Sequence, residues 1–189
     1  MENKLDFLTS SISDIQATIR AIDVKVAALL VVLLTPFQNL NRIFSHIDHF
    51  RSKPDNLILL IIVILFIFSW FISLVALVRA IGAIDNPSRH IINSSNCNGT
   101  YYGAGLYQLG FLDVFLNRDI IRASKDPQSL SALIPNNKQN IEIELVFEQM
   151  KLIYIRDIKI NRLRYGGNFF SIWFILGVLI FISSRYFIK

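Results

Sequence analysis

Hydrophobic and polar positions divide this chain into blocks. Residues 56–78, NLILLIIVILFIFSWFISLVALV, run 23 positions without a charge. At ~1.5 Å per residue such a helix crosses the ~30 Å hydrocarbon core of a bilayer. Residues 165–184, YGGNFFSIWFILGVLIFISS, form a second uncharged block between Arg164 and Arg185, with Asn168 and the serines placed to meet an interface. A weaker block lies nearer the start. Residues 26–41 carry no charge but contain Pro36, Gln38, Asn39 and Asn41. That block crosses only if 24–44 is used whole, with a kink at Pro36 and Arg42 snorkelling outward. The polar connection SHIDHFRSKPDN, with Lys53-Pro54-Asp55 as a turn, joins the first two blocks as a helical hairpin.

Outside these blocks the pattern is amphipathic. Leu5, Leu8, Ile12, Ile15, Ile19, Ile22 and Val26 alternate at spacings of three and four, a heptad seam. Such a seam packs on its own chain, forms a contact between subunits, or does both. A loop rich in Asn, Ser and Gly follows the second block, then the short amphipathic stretch FLDVFLNRDIIRAS. KDPQSLSALIP predicts a short helix, with Asp126 as N-cap, Pro127 at its first position and Pro135 as its stop. NIEIELVFEQMKLIYIRDIKINRLRY opens with strand-like alternation and continues as a long helix. Glu144, Glu148, Lys151, Lys159 and Arg162 share one face of it, and Val146, Met150 and Ile153 another. Gly166-Gly167 predicts the junction with the last apolar block.

Composition supports an all-α integral membrane protein with about three transmembrane helices and a helical cytoplasmic lobe. The chain of 189 residues is 53% hydrophobic and 17% charged. Soluble domains carry about 25% charged residues. The expected organisation is an amphipathic cytoplasmic helix over 1–23, a transmembrane hairpin over 24–82, the lobe over 83–164 and a last transmembrane helix over 165–189. The first twenty residues are polar and show no secretory signal pattern. Lysines and arginines set the orientation. Residues 1–25 and 79–168 hold 14 of the 19, which places the N-terminus and the lobe in the cytoplasm and the C-terminus outside. The single cysteine, Cys97, excludes an internal disulfide.

Candidate chemistry is sparse. The three histidines, His46, His49 and His90, belong to no zinc pattern, and His46 and His49 flanking Asp48 make a poor metal site. No nucleophile stands with a base, and Gly103, Gly105 and Gly110 do not form a dinucleotide fingerprint. The expectation is a protein without catalytic residues, metal or cofactor. The residues that stand out are Asp23 and Lys25, charges of both signs at the mouth of an apolar block. They lie about 200° apart on a helix and cannot pair with each other, whereas Arg20 can reach Asp23. Either they mark a plain interfacial helix end, with Lys25 reaching headgroups, or Asp23 turns inward and couples the helix to the lobe.

The order of motifs is specific. AIDVKVAALL enters the first apolar block, SLVALVRAIGAIDNPSR ends the second, LYQLGFLDVF follows, and VFEQMKLIYIRDIKINRLRY runs into the last. This resembles the transmembrane effector family of the Pycsar antiphage systems over nearly the whole chain. That family's opening helix carries a similar Asp-x-Lys-Ala-x-x-Leu-Leu pattern. Asp23, Lys25, Leu29 and Leu30 match it, and Val26 stands in place of the alanine. Its second helix similarly precedes a proline-containing turn, here Pro87. The resemblance implies a bacterial inner-membrane effector that senses a cyclic mononucleotide, such as cyclic UMP or cyclic CMP, made by a partner cyclase on phage infection. It would then impair the membrane and halt the cell.

A cyclic nucleotide needs an aromatic face for its base and cations or amides for its phosphate. Arg89, Tyr101, Tyr102, Tyr107, Arg118 and Arg122 offer those groups in the expected compartment. The same residues can equally pack and coat the lobe. Leu8, Ile12, Ile15, Ile19 and Ile22 are the candidate seam of a homo-oligomer, and Arg20, Asp23 and Lys25 the candidate coupling residues at membrane entry. Lipid and a second copy are the expected direct partners, with no nucleic acid. The competing expectation is a membrane-anchored scaffold, or a pore-forming toxin without a nucleotide signal.

Overall fold

The structure is a computed structural model and describes residues 2–36, 57–82, 87–92, 97, 99, 106 and 123–187. Every regular element among the described residues is helical. They are α1 (Glu2–Leu34), α2 (Leu57–Ile81), a 3-10 turn at Pro87–His90, α3 (Pro127–Leu133) and α4 (Lys138–Phe187). Two compact units result: Met1–Gln16 with Asp85–Ile155, and Ala17–Ile84 with Arg156–Lys189. Both α1 and α4 contribute to each.

Local signals account for the short elements. Asp126 caps α3, its carboxylate accepting from the Ser129 N–H at 3.0 Å, and Pro127 opens the helix. The Ile134 N–H closes it on the Ser131 carbonyl, just before Pro135. Asn137 caps α4, its side-chain oxygen accepting from the Gln139 N–H at 3.2 Å. The strand-like start of NIEIELVF is therefore helical. The alternation there gives way to helical spacing: Leu145 packs with Ile141 and Leu152, and Glu144 and Glu148, one turn apart, are both buried. α4 runs through Gly166-Gly167 unbroken, so the expected entry into the last apolar block brings no break in the helix.

In the first unit, Leu8, Ile12 and Leu145 form the centre of a cluster completed by Leu5, Ile141, Val146 and Leu152. The amide of Gln149 donates to the Ser11 hydroxyl at 2.7 Å, and Lys4 pairs with Glu142. Both partners advance by seven residues between these contacts, so α1 and α4 run parallel in heptad register here. The seam of α1 is thus filled by the chain itself. Leu8, Ile12, Ile15 and Ile22 are buried and Ile19 half-buried.

The second unit is a bundle of the later part of α1, all of α2 and the later part of α4. Ile22, Val26, Leu33, Leu77, Ala80 and Trp173 are its core. Gly166 faces Leu77 and Gly177 faces Phe66, eleven residues apart in each helix, so α2 and α4 are antiparallel. A Cβ on Gly166 would lie 2.8 Å from the Leu77 side chain, which is why the close approach needs glycine there. The buried Ser73 hydroxyl crosses the same contact and donates to the Gly166 carbonyl at 2.8 Å.

Candidate functional site

The second unit exposes what a soluble protein hides. Its apolar windows in α2 and α4 have mean hydropathies of 3.0 and 1.9, yet only 17% and 11% of those residues are buried. A soluble core helix of that composition would be mostly buried. Among the described residues, these are the two helices long and apolar enough to cross a membrane. Ile64, Phe68, Phe71, Phe174, Ile175 and Phe181, all more than half exposed, belong to this surface.

α1 enters the bundle at a polar layer. The Lys159 ammonium donates to the Asp23 carboxylate at 2.5 Å, with the lysine 10% and the aspartate 41% exposed. Asp23 therefore turns toward α4, and its partner is Lys159; Arg20 is exposed, as is Lys25. One turn along α4, the Arg162 guanidinium donates to the Arg79 carbonyl at the end of α2, at 2.5 Å. These two bonds bring the end of α2 level with the points where α1 and α4 enter the bundle.

The described helix of α1 ends deep in this bundle. Leu33 lies ten residues beyond Asp23, or ~15 Å, about half of a hydrocarbon core. Pro36 cannot donate to the Val32 carbonyl, and the Thr35 hydroxyl does so instead, at 2.5 Å. The Trp70 indole N–H caps the Leu33 carbonyl at 2.9 Å. Such side-chain caps are what a helix end needs where water is absent. Residues 37–44, on which a full crossing by this block depends, lie outside the described residues. The buried indole N–H of Trp173 has no acceptor among the described residues.

The first unit holds a second set of charges. Glu144 and Glu148 are buried with Leu145 and Phe147. Glu148 pairs with Lys151, whose ammonium also sits 4.6 Å over the Phe147 ring. Burial pushes the Glu148 carboxyl above the ordinary carboxylate range, against the pull of Lys151. Burial, then Glu144, pushes the Cys97 thiol up as well. The charged face of this helix is therefore its inner face, while Met150 on the opposite side is exposed. His90 stacks on Tyr154 with ring centres 4.7 Å apart. Among the described residues no group of three metal-ligating side chains converges.

Of the candidate ligand residues, Arg89 is exposed on the 3-10 turn. Tyr101, Tyr102, Tyr107, Arg118 and Arg122 lie outside the described residues, as do His46 and His49. Sequence reasoning missed Lys159 as the partner of Asp23. The signal was that both charges precede uncharged blocks and so reach one depth. Nothing in the sequence marks Trp70 as a helix cap.

These features define a helical protein whose described core is a bundle with a lipid-like apolar exterior, entered through an internal ion pair. Compared with known families, with curated proteins and with solved structures, the chain matches none.

Proposed function

We propose that this chain is a bacterial inner-membrane effector of antiphage defence, of the Pycsar type, gated by a cyclic mononucleotide such as cyclic UMP or cyclic CMP. In this reading three helices cross the membrane. The N-terminus and a helical lobe face the cytoplasm, and the C-terminus faces out. A partner cyclase supplies the diffusible nucleotide on infection, and the effector, as a homo-oligomer, then impairs the membrane. The chain is a sensor and actuator, not an enzyme.

The observation that carries the reading is the Asp23–Lys159 bond. It joins AIDVKVAALL to RDIKINRLRY, two of the segments on which the resemblance rests. It also ties α1 to α4, the two helices that belong to both units. A nucleotide bound in the first unit would shift the bundle only by as much as it prefers one arrangement of these helices over another. Arg89, with Tyr101, Tyr102, Tyr107, Arg118 and Arg122 further along the chain, would supply the aromatic and cationic groups such a ligand needs. Assembly would use the exposed apolar faces of α2 and α4, because the α1 seam is filled within the chain.

The test is dye release from liposomes holding the purified full chain, with a panel of cyclic mononucleotides. The expected result is release with one pyrimidine cyclic nucleotide and little with the others. Release indifferent to every nucleotide would favour a pore-forming toxin without a small-molecule signal.

A further inference from the structure

Exposed cations collect at the end of the bundle that holds the Asp23–Lys159 pair. Arg20 and Lys25 on α1, Arg79 on α2 and Arg164 on α4 are all exposed. The bonds Lys159–Asp23 and Arg162–Arg79 fix the levels of the three helices against one another. At ~1.5 Å per residue the four charges then fall within a band about 12 Å tall. The described acids of this unit are Asp23 and Asp157, and each already faces a cation, Lys159 at 2.5 Å and Arg156 at 2.8 Å. No described carboxylate of this unit remains to neutralise the four. The Arg164 guanidinium is held over the Tyr165 ring at 5.3 Å, which restrains it where it stands.

This band is continuous with the apolar exterior. Val75 and Val78 precede Arg79, and Ile172 and Ile175 follow Arg164, all exposed. The headgroup zone of one leaflet is about 5–8 Å thick. Arginine and lysine stems reach several ångströms further, so the band fits that zone. A ligand with phosphate at one end and acyl chains at the other matches both surfaces at once. A free nucleotide or a nucleic acid matches the cations alone.

We infer that this belt binds the phosphate groups of anionic phospholipids and selects them over zwitterionic ones. The inference rests on the bundle lying in a bilayer, as proposed above. The experiment therefore first checks insertion of the full chain, by flotation and alkaline extraction, in phosphatidylcholine vesicles with and without phosphatidylglycerol. Failure to insert in either would sink the membrane reading itself.

The inserted protein is then examined with spin-labelled phosphatidylglycerol and spin-labelled phosphatidylcholine, reading the motionally restricted fraction of each. The expected result is a preference for phosphatidylglycerol that falls about fivefold for each belt cation removed, in Arg79→Gln and in Arg79→Gln/Arg164→Gln. Lys138→Gln, outside the belt, should keep the full preference. On the parent protein, raising ionic strength from ~0.1 to ~1 M shortens the screening length from ~10 to ~3 Å and should abolish most of it. Equal restriction of the two lipids, or a preference that salt does not move, overturns the inference. So does full displacement of the labelled lipid by millimolar inorganic phosphate, which would make this a site for free phosphate.

Discussion

At the scale of single residues, the Asp23–Lys159 bond is asymmetric, and the asymmetry decides which substitution hurts. Lys159 is nearly buried and Asp23 reaches solvent. Asp23→Ala strands an ammonium among apolar side chains, and losing a hydrogen bond to a charged group costs ~1.5–3 kcal/mol. Lys159→Met instead fills the same space with an apolar side chain and leaves a carboxylate that can hydrate, so it should cost less. The double variant should be more stable than the sum of the two losses implies, by ~0.5–3 kcal/mol, because the stranded charge is gone. Thermal unfolding in lipid nanodiscs followed by circular dichroism reads all three. Strict additivity would mean that the two side chains do not interact. Glu148 gives a pH test in the other unit. Its folded-state carboxyl is raised above 4.5, so the folded state holds the proton more tightly than the unfolded one. The stability this adds is fully present below pH 4.5 and is lost as pH rises through the folded value. The parent should therefore gain melting temperature as pH falls from neutral toward 4.5, and Glu148→Gln should flatten that gain. Equal slopes in the two proteins would place Glu148 in an ordinary aqueous setting.

At the scale of helices, two adjacent glycines in α4 should respond in opposite senses. Gly166→Ala places a Cβ 2.8 Å from Leu77, so α2 and α4 must separate or repack. Overpacking of this kind costs ~1–3 kcal/mol. Gly167→Ala meets nothing within 4 Å and should stabilise the helix by up to ~1 kcal/mol. Melting both variants against the parent checks the register of the α2–α4 contact, which two neutral results would contradict. The α1 seam gives a related expectation. Ile15 is buried within the first unit, so Ile15→Asp should reduce the helical signal and protease resistance of that unit even in dilute detergent, where chains are separate. Concentration-dependent loss alone would return the seam to a subunit contact. The helices themselves were legible from sequence: the uncharged blocks, the Asp126 cap and the heptad seam each have a local cause. What the seam faces was not, because a heptad stripe reads the same whether α4 or a second copy covers it. The strand-like alternation in NIEIEL misled for the opposite reason, a short period-two pattern lying inside a helix whose inner face holds Glu144 and Glu148. The close approach at Gly166 likewise involves Leu77 and Ser73 of another helix, which no local pattern contains.

At the scale of the whole chain, the first unit constrains the path that the proposed membrane reading allows. It contains both Met1–Gln16 and Asp85–Ile155, and Lys4–Glu142 and Ser11–Gln149 join them directly. Packed residues lie on one side of a bilayer, so the chain between Gln16 and Asp85 must cross it an even number of times. If α2 supplies one crossing, another must come from residues 17–56. On that reading the described α1 reaches about half of a hydrocarbon core between Asp23 and Leu33. Phe50 would then stand on the far side from Cys97. In right-side-out bacterial spheroplasts an impermeant maleimide should label Phe50→Cys in a Cys97→Ser background, and should reach Cys97 of the parent only after permeabilisation. Because burial and the Glu144 carboxylate hold the Cys97 thiol above its ordinary value, little thiolate is present at neutral pH. The Cys97 arm must therefore be run at mildly alkaline pH, with the permeabilised sample as its positive control. Labelling of Cys97 from outside would invert the orientation given by the lysine and arginine count. Labelling of neither position without permeabilisation, with both reacting afterwards, would put both on one side and remove α2 from the list of crossings.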